Sequence, residues 1–246
     1  MKIISINIER DLHTDTVVPF LKKEAPDVVC FQEIFEDELS FYEKELNMDY
    51  FFKPMAYWDS SDKCKENKGL RKYGIALFAK GIKEINFKYI VGDESVVNIF
   101  KYPVDLEKRN DSVNFLVMWI KVIDENSKAY IIANTHLPKT HEGVVSNFQI
   151  EDANKLINIL DSNLDEFILV GDTNAPRGRA TFDMIANKFK DNIPQEYETS
   201  LDQNLHRVKG LMYVVDCFFT KGDIKVKNVK LVDGVSDHMA VVGEVE

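Results

Sequence analysis

Eight polar residues stand at or near the ends of apolar runs: Asn7, Glu33, His136, Asp172, Asn174, Asp216, Asp237 and His238. Carboxylates, amides and imidazoles of this kind, if brought together, could hold a hard divalent cation, orient a water and stabilise a developing anion. Taken singly, each is weak. Phe31-Gln32-Glu33 ends an apolar run on an acid, which is often just a solvated strand end or a helix cap. Asn134-Thr135-His136-Leu137 ends another, and a lone histidine there is more often a satisfied structural residue than a catalyst. In Gly171-Asp172-Thr173-Asn174 the glycine lets the backbone turn, and the acid and amide lie two residues apart. On an extended segment they face the same side, and strand-end loops of α/β folds commonly hold ligands; an Asx turn is the plainer alternative. Asp237-His238 precedes the last apolar run, and adjacency by itself says little.

The elements that must position these residues alternate along the chain. Lys2–Ile8 reads as a strand, followed by a helix from Thr14 or Asp15 to just before Pro26. Asp27–Gln32 is a short buried strand, then come a helix over about Glu36–Glu45 and a strand at Tyr50–Lys53. Tyr57–Lys72 is charged and without period, which predicts a long loop. Tyr73–Lys80 and Ile82–Val91 look like two strands joined by a tight turn at Gly81. Asn114–Ile123 and Ala129–Thr135 look like a second pair. Ser146 is a candidate N-cap for a helix reaching Leu160, with Ile150, Ala153, Leu156, Ile157 and Leu160 on one face. Phe167–Gly171 is a strand and Thr181–Phe189 a helix; Met212–Thr220, Lys225–Val232 and Met239–Val245 are strands. Paired strands with helices between some of them predict an α/β fold of two packed sheets with outer helices, in one domain over residues 1–246.

Composition narrows the class. The chain has 246 residues, 45% hydrophobic and 11% aromatic, as a globular protein does. It lacks an apolar run near the roughly 18 residues of a membrane span, and its first residues enter a strand pattern without the regions of a signal peptide. Three scattered cysteines, Cys30, Cys64 and Cys217, make neither a disulfide framework nor a zinc site, so the expected location is cytoplasmic. A net charge of −10 opposes nucleic-acid binding in bulk. Local charge differs: Lys63, Lys65, Lys68, Arg71 and Lys72 cluster, and Arg177 and Arg179 follow Asn174 closely. Either set is a substrate-phosphate contact or a solvated face. Tyr57 and Trp58 could stack on a base, or pack locally.

The ordered set formed by Asn7, Glu33, Gly74-Ile75-Ala76-Leu77, Asn134-Thr135-His136, Gly171-Asp172-Thr173-Asn174, Val215-Asp216 and Ser236-Asp237-His238 resembles the endonuclease/exonuclease/phosphatase superfamily. Each motif is short; their common order from Ile6 to Ala240 carries the resemblance. It implies a four-layer α/β sandwich, two mainly antiparallel central sheets flanked by helices, with the motif residues meeting at one edge. It further implies a Mg²⁺-dependent phosphodiesterase, with Mn²⁺ as a substitute, in which Glu33 is the main metal carboxylate and Asn7, Glu9 and Asp237 support it. Asp172 would orient or deprotonate water, Asn174 hold phosphate or water, and His238, paired with Asp216, contact non-bridging oxygens as an imidazolium.

The Thr135-His136-Leu137 sequence is similar to the branch containing deoxyribonuclease I, sphingomyelinases, deadenylases and tyrosyl-DNA phosphodiesterases. In deoxyribonuclease I-type members that histidine pairs with a Glu just ahead of the Gly-x-Ala strand. Here Tyr73 takes that neighbourhood, and the nearest acid in sequence is Glu66. The expected activity is a monomeric nuclease or DNA-end-processing enzyme acting on DNA or RNA. The alternative is a phosphatase or phosphodiesterase acting on an inositol-phosphate or lipid headgroup.

Overall fold

The computed structural model describes residues 1–61, 63–95, 97–100 and 112–246. Twelve strands form two six-stranded sheets among the described residues. The first contains β1 (Lys2–Asn7), β2 (Val28–Phe35), β3 (Asp49–Asp59), β4 (Leu70–Ala79), β11 (Val226–Val232) and β12 (Ala240–Val245). Their order is β11-β12-β1-β2-β4-β3, with β1 and β2 parallel and the other pairs antiparallel. The second contains β5 (Glu84–Val91), β6 (Phe115–Ile123), β7 (Ala129–His136), β8 (Phe167–Asp172), β9 (Lys190–Asp191) and β10 (Asp216–Lys221). It runs β5-β6-β7-β8-β10-β9, and β7 and β8 are its parallel pair. Each parallel pair is joined by a helical crossover, as parallel strands require.

Period-two alternation explains the layering. Along β1, β2 and β4, Ile3, Val28, Cys30, Ile75 and Leu77 join the core shared with the second sheet. The intervening Ile4, Ile6, Val29, Phe31, Ala76 and Phe78 pack instead with α1 (Thr14–Glu24) and α2 (Leu39–Leu46). On the far side, α3 (Asn147–Asn163) buries Ala153, Leu156, Ile157 and Leu160, and α4 (Ala180–Ala186) buries Phe182 and Ile185, in the cluster that holds the second sheet. Ser146 caps α3 by accepting the Gln149 N–H at 3.3 Å. One polar clasp crosses between the sheets. Asn134 on β7 donates to the Phe31 and Ala76 carbonyls, both at 3.0 Å, and accepts from Gln32 Nε2 at 2.7 Å.

Several expected boundaries move. The loop expected over Tyr57–Lys72 is shorter at both ends, because β3 and β4 pair as far as Asp59↔Leu70; it spans 60–69, of which Asp62 lies outside the described residues. The Gly81 turn does not close a hairpin. It carries the chain from β4 in the first sheet to β5 in the second, where β5 pairs with β6. The β6–β7 pair forms as expected. Glu36–Glu38 is a 3₁₀ turn ahead of α2, and residues 212–215 lie outside the strand, which begins at Asp216.

Candidate active site

Strand register brings the polar residues to one end of the two sheets. Across β7, β8 and β10, His136 lies opposite Asp172 and Asp172 opposite Asp216, so three titratable groups share one row. Asn7 ends β1 opposite Gln32 on β2, one residue before Glu33. Asp237 and His238 come from the segment leading into β12, which Leu201 pins through an isolated bridge to His238.

The local backbone is unusual here. Glu9, Arg10, Glu33 and Asn174 all adopt left-handed φ, at 45°, 66°, 58° and 50°. Such residues cost energy and persist where the surroundings hold them. At Glu33 the β2–β4 register shifts between Phe31 and Ile34, a bulge that re-aims the acid. The Arg10 N–H donates to the Glu33 carbonyl at 2.9 Å, locking the β1 exit to that bulge. Gly171 is obligatory for closeness: a Cβ there would lie 2.0 Å from the Thr135 carbonyl oxygen on β7.

Asp172 is the centre of the arrangement. Its Oδ2 accepts from Asn7 Nδ2 at 3.2 Å and lies 3.5 Å from His136 Nε2 and 3.8 Å from His238 Nε2. Its Oδ1 accepts the Asn174 N–H at 2.8 Å. His238 Nδ1 donates to Asp216 Oδ2 at 2.9 Å. Burial alone would strip the proton from His238, but the carboxylates of Asp216 and Asp172 outweigh it and raise its pKa well above the usual imidazole range. The site therefore contains a buried imidazolium beside a carboxylate that can accept a proton. Asn174 donates from Nδ2 to the Leu137 carbonyl at 2.9 Å, which leaves its second amide hydrogen for a ligand.

A second wall is acidic. Glu9, Glu33 and Asp237 line the same cleft, of about 340 Å³, as Asp172 and both histidines. Burial pushes the Asp237 carboxyl up to about 6; the Glu9 and Glu33 carboxylates add to this, against the opposing pull of His238. Carboxylates that repel one another in a buried cleft suit a divalent cation, and the oxygen donors of Glu33, Asp237 and Asn7 are of the hard type. Glu9 differs. Its oxygens meet Arg10, Arg207 and His13, and these outweigh burial to hold its pKa below the usual range.

Other expected contacts fall elsewhere. Arg177 pairs with Asp191 at 2.8 Å and donates to the Ile193 and Pro194 carbonyls. Arg179 donates to the Glu142 carbonyl at 2.7 Å and packs over Tyr213. Neither is among the residues lining the cleft, because Pro176 and the Gly178 turn carry both away from Asn174. Trp58 is 2% exposed, stacked on Phe100 and covered by the Arg10 guanidinium, so it presents no face to a base. Arg71 is no solvated cation: it is buried against Asp11 and Asp37. Glu66 pairs with Lys68, and the acid beside His136 is Asp172.

The cleft is also lined by Arg10, Lys63, Tyr73, Lys139, His206 and Arg207, of which only Lys63 and Tyr73 drew notice in the sequence, as parts of a basic run and a strand. A signal existed for two of them, the segment His206-Arg207-Val208-Lys209, with two cations and a histidine, between the turn formers Asn204 and Gly210.

Comparison with known proteins agrees with the geometry. The sequence profile of the Endonuclease/Exonuclease/phosphatase family matches residues 4–238. No curated protein matches the sequence. Among solved structures, the human Nocturnin catalytic domain with bound sulfate superposes with a TM-score of 0.72 at 15% identity, covering 100% of this chain and 93% of that one. The mannosyl-6-phosphatase Bt3783 of Bacteroides thetaiotaomicron gives 0.67 at 14% identity, covering 100% and 99%. A humanized D. rerio TDP2 gives 0.66 at 14% identity, covering 100% and 98%. At these identities the likeness concerns the fold. With the profile spanning nearly the whole chain, the protein belongs to the endonuclease/exonuclease/phosphatase family and is a hydrolase acting on phosphoester bonds.

Proposed function

We propose that the protein is a Mg²⁺-dependent phosphodiesterase that cleaves DNA or RNA. The observation that carries the chemistry is Asp172, held by Asn7 and the Asn174 N–H and set 3.8 Å from a His238 that burial and two carboxylates keep charged. Asp172 takes the role of accepting the proton of the attacking water, oriented by Asn174 and Asn7. His238 donates from Nε2 to a non-bridging phosphoryl oxygen, and Asp216 fixes its tautomer and charge. His136, 3.5 Å from Asp172, contacts the phosphoryl group or the leaving oxygen. Glu33, Asp237 and Asn7 are the residues that would hold Mg²⁺. When bound, the ion supplies neutralisation of phosphoryl charge and Lewis-acid polarisation. The raised pKa of Asp237 supports this donor set, because a cation would offset the burial and the lesser carboxylate repulsion that raise it.

The nucleic-acid assignment is supported by Lys63, Lys139 and Arg207 around the cleft of an otherwise acidic chain. The same cleft, at about 340 Å³, favours a second reading, a phosphatase for a small sugar or inositol phosphate. The fold shared with a mannosyl-6-phosphatase is consistent with that alternative. Part of the reading is that the chain acts as one domain and a monomer in the cytoplasm. All three cysteines are thiols, in keeping with a reducing compartment, and no described helix is long and apolar enough to cross a membrane.

A panel assay with Mg²⁺ tests the assignment, using plasmid DNA, single-stranded DNA, RNA, abasic DNA, 5′-phosphotyrosyl DNA, inositol phosphates and mannose 6-phosphate. Hydrolysis of at least one nucleic-acid substrate is expected, abolished in Asp172→Asn and His238→Ala. Activity confined to the sugar or inositol phosphates would replace the leading reading with the second, and activity surviving both substitutions would sink the mechanism.

A further inference from the structure

Gln149 is fully buried in the first turn of α3, and no step of the chemistry uses it. Its N–H is capped by Ser146, so the side chain leaves the helix from a fixed turn. Nε2 donates to two backbone carbonyls, those of Pro138 and Asn174, both at 3.1 Å. These partners decide which way the amide points, since the reverse orientation would set Oε1 against two carbonyl oxygens. Both amide hydrogens are spent on the two loops, and Oε1 is buried without a hydrogen-bond partner among the described residues. A buried acceptor in that state costs free energy, which α3 bears while satisfying two carbonyls outside itself.

Those two carbonyls belong to the strand exits that carry the site. Pro138 comes two residues after His136 at the end of β7, and Asn174 two residues after Asp172 at the end of β8. The exits are already laced together. The Leu137 N–H donates to the Asp172 carbonyl at 2.9 Å, and Asn174 Nδ2 donates to the Leu137 carbonyl at 2.9 Å. Asn174 itself stands at φ 50°, a conformation that a residue other than glycine keeps only where its surroundings hold it. Three contacts do so. Asp172 Oδ1 takes its N–H, the Leu137 carbonyl takes its side chain, and Gln149 takes its carbonyl. Of these, Gln149 alone comes from outside the two strand exits, so it ties their geometry to the helical layer. Without it the Asn174 peptide is free to turn toward an ordinary φ, and its amide would leave the place from which it faces the cleft.

We propose that Gln149 is a positioning residue for the reaction: it holds Asn174 in its left-handed conformation and so aims the Asn174 amide at the phosphoryl group or the attacking water. It touches neither substrate nor metal and acts through Asn174. This role rests on the phosphodiesterase reading and on the part that reading gives Asn174. It deepens that reading by making the first turn of α3 part of the catalytic apparatus as well as of the core.

A double-mutant cycle read in kcat tests the assignment, with thermal melts and Mn²⁺ calorimetry beside it. Gln149→Met keeps the volume and removes both donors. Gln149→Asn keeps an amide on a stem one methylene shorter, and it reports where the Met variant does not fold. Each is made alone and together with Asn174→Ala. Kinetics with Mg²⁺ use bis-p-nitrophenyl phosphate, p-nitrophenyl phosphate and single-stranded DNA, and the cycle is read on the substrate that wild type turns over fastest. Either Gln149 variant is expected to lower kcat about 10–100-fold, with KM within about threefold of wild type. In the Asn174→Ala background the same change is expected to cost less than about threefold, because the residue it acts through is already gone. The Mn²⁺ Kd stays within about threefold, since Gln149 lies outside the acidic wall. A merely structural glutamine would lower Tm and leave kcat per folded enzyme unchanged, or would add its full loss to that of Asn174→Ala. Either result overturns the proposal, as does a loss of activity that follows weakened Mn²⁺ binding. A wild type inactive on all three substrates sinks the phosphodiesterase reading and this role with it, whereas an active wild type beside unaffected Gln149 variants sinks the positioning role alone.

Discussion

Asp216 accepts the Nδ1 proton of His238 at 2.9 Å, and this buried contact decides which protonation state the imidazole brings to the cleft. Burial opposes the charge, the Asp216 and Asp172 carboxylates restore it, and the carboxylates win. A donor to phosphoryl oxygen therefore exists at neutral pH without a proton being recruited from solvent.

Removing that partner should move the pH profile in a defined direction. Catalysis that needs the imidazolium falls as pH rises through the His238 pKa. In Asp216→Asn the attraction weakens and burial dominates, so the alkaline limb of kcat/KM against pH shifts to lower pH by roughly one unit or more. At pH 8 the loss should reach on the order of 10²–10³-fold, as for other removed transition-state donors. A profile that keeps its alkaline limb would refute the pairing.

Metal binding should depend on the state of Asp237. Its carboxyl is pushed up to about 6 chiefly by burial, and a metal ligand must be deprotonated. Mn²⁺ affinity measured by calorimetry should be highest above pH 7 and fall as pH drops through 6, and Asp237→Asn should flatten that dependence. Chelation is the companion measurement. At a concentration 100 times Kd the ion adds about 2.7 kcal/mol, so excess chelator should lower Tm by roughly 5–10 °C.

Glu38 makes a stability prediction away from the site. Its carboxyl is pushed up to about 7 by burial, against Arg71 at 3.8 Å, and its Oε2 is buried without a hydrogen-bond partner. The folded state binds this proton more tightly than an unfolded glutamate titrating near 4.5. Its contribution is therefore full below pH 4.5 and is lost as pH rises through 7, a change on the order of 3 kcal/mol. Glu38→Gln should raise Tm by several degrees at pH 8 and leave it near wild type at pH 4.5, as read by thermal melts at both values.

The clasp between the sheets should be costly to cut. Asn134→Ala takes the side-chain donor from the Phe31 and Ala76 carbonyls, while the Gln32 amide keeps Ser5 Oγ at 3.1 Å. At about 1–3 kcal/mol for each stranded group, the variant should lose roughly 3 kcal/mol or more in urea unfolding. A loss under 1 kcal/mol would mean that water or a shift of β7 replaces the clasp.

Much of this protein was legible in its sequence, because strand periodicity and strand-end chemistry are local. The alternation of Ile3, Ile4 and Ile6, or of Val28 to Phe31, depends only on which faces are buried, and it predicted strands that the structure contains. The ordered motifs likewise named Asn7, Glu33, His136, Asp172, Asn174, Asp237 and His238, which now line one cleft. Pairing was not local. Gly81 looks the same in a hairpin as in a crossover between sheets, and only the partner of β5 tells them apart. The arginines show the same limit. Arg177 and Arg179 sit near Asn174 in sequence and turn away in space, while Arg10 and Arg207, 197 positions apart, meet at Glu9. Residue type sets what a side chain can do, and it made Asp172, His238 and Glu33 candidates from the start. Which cation a buried carboxylate meets depends on long-range register and loop closure, and so the tertiary structure alone brought Arg10 and Arg207 to Glu9.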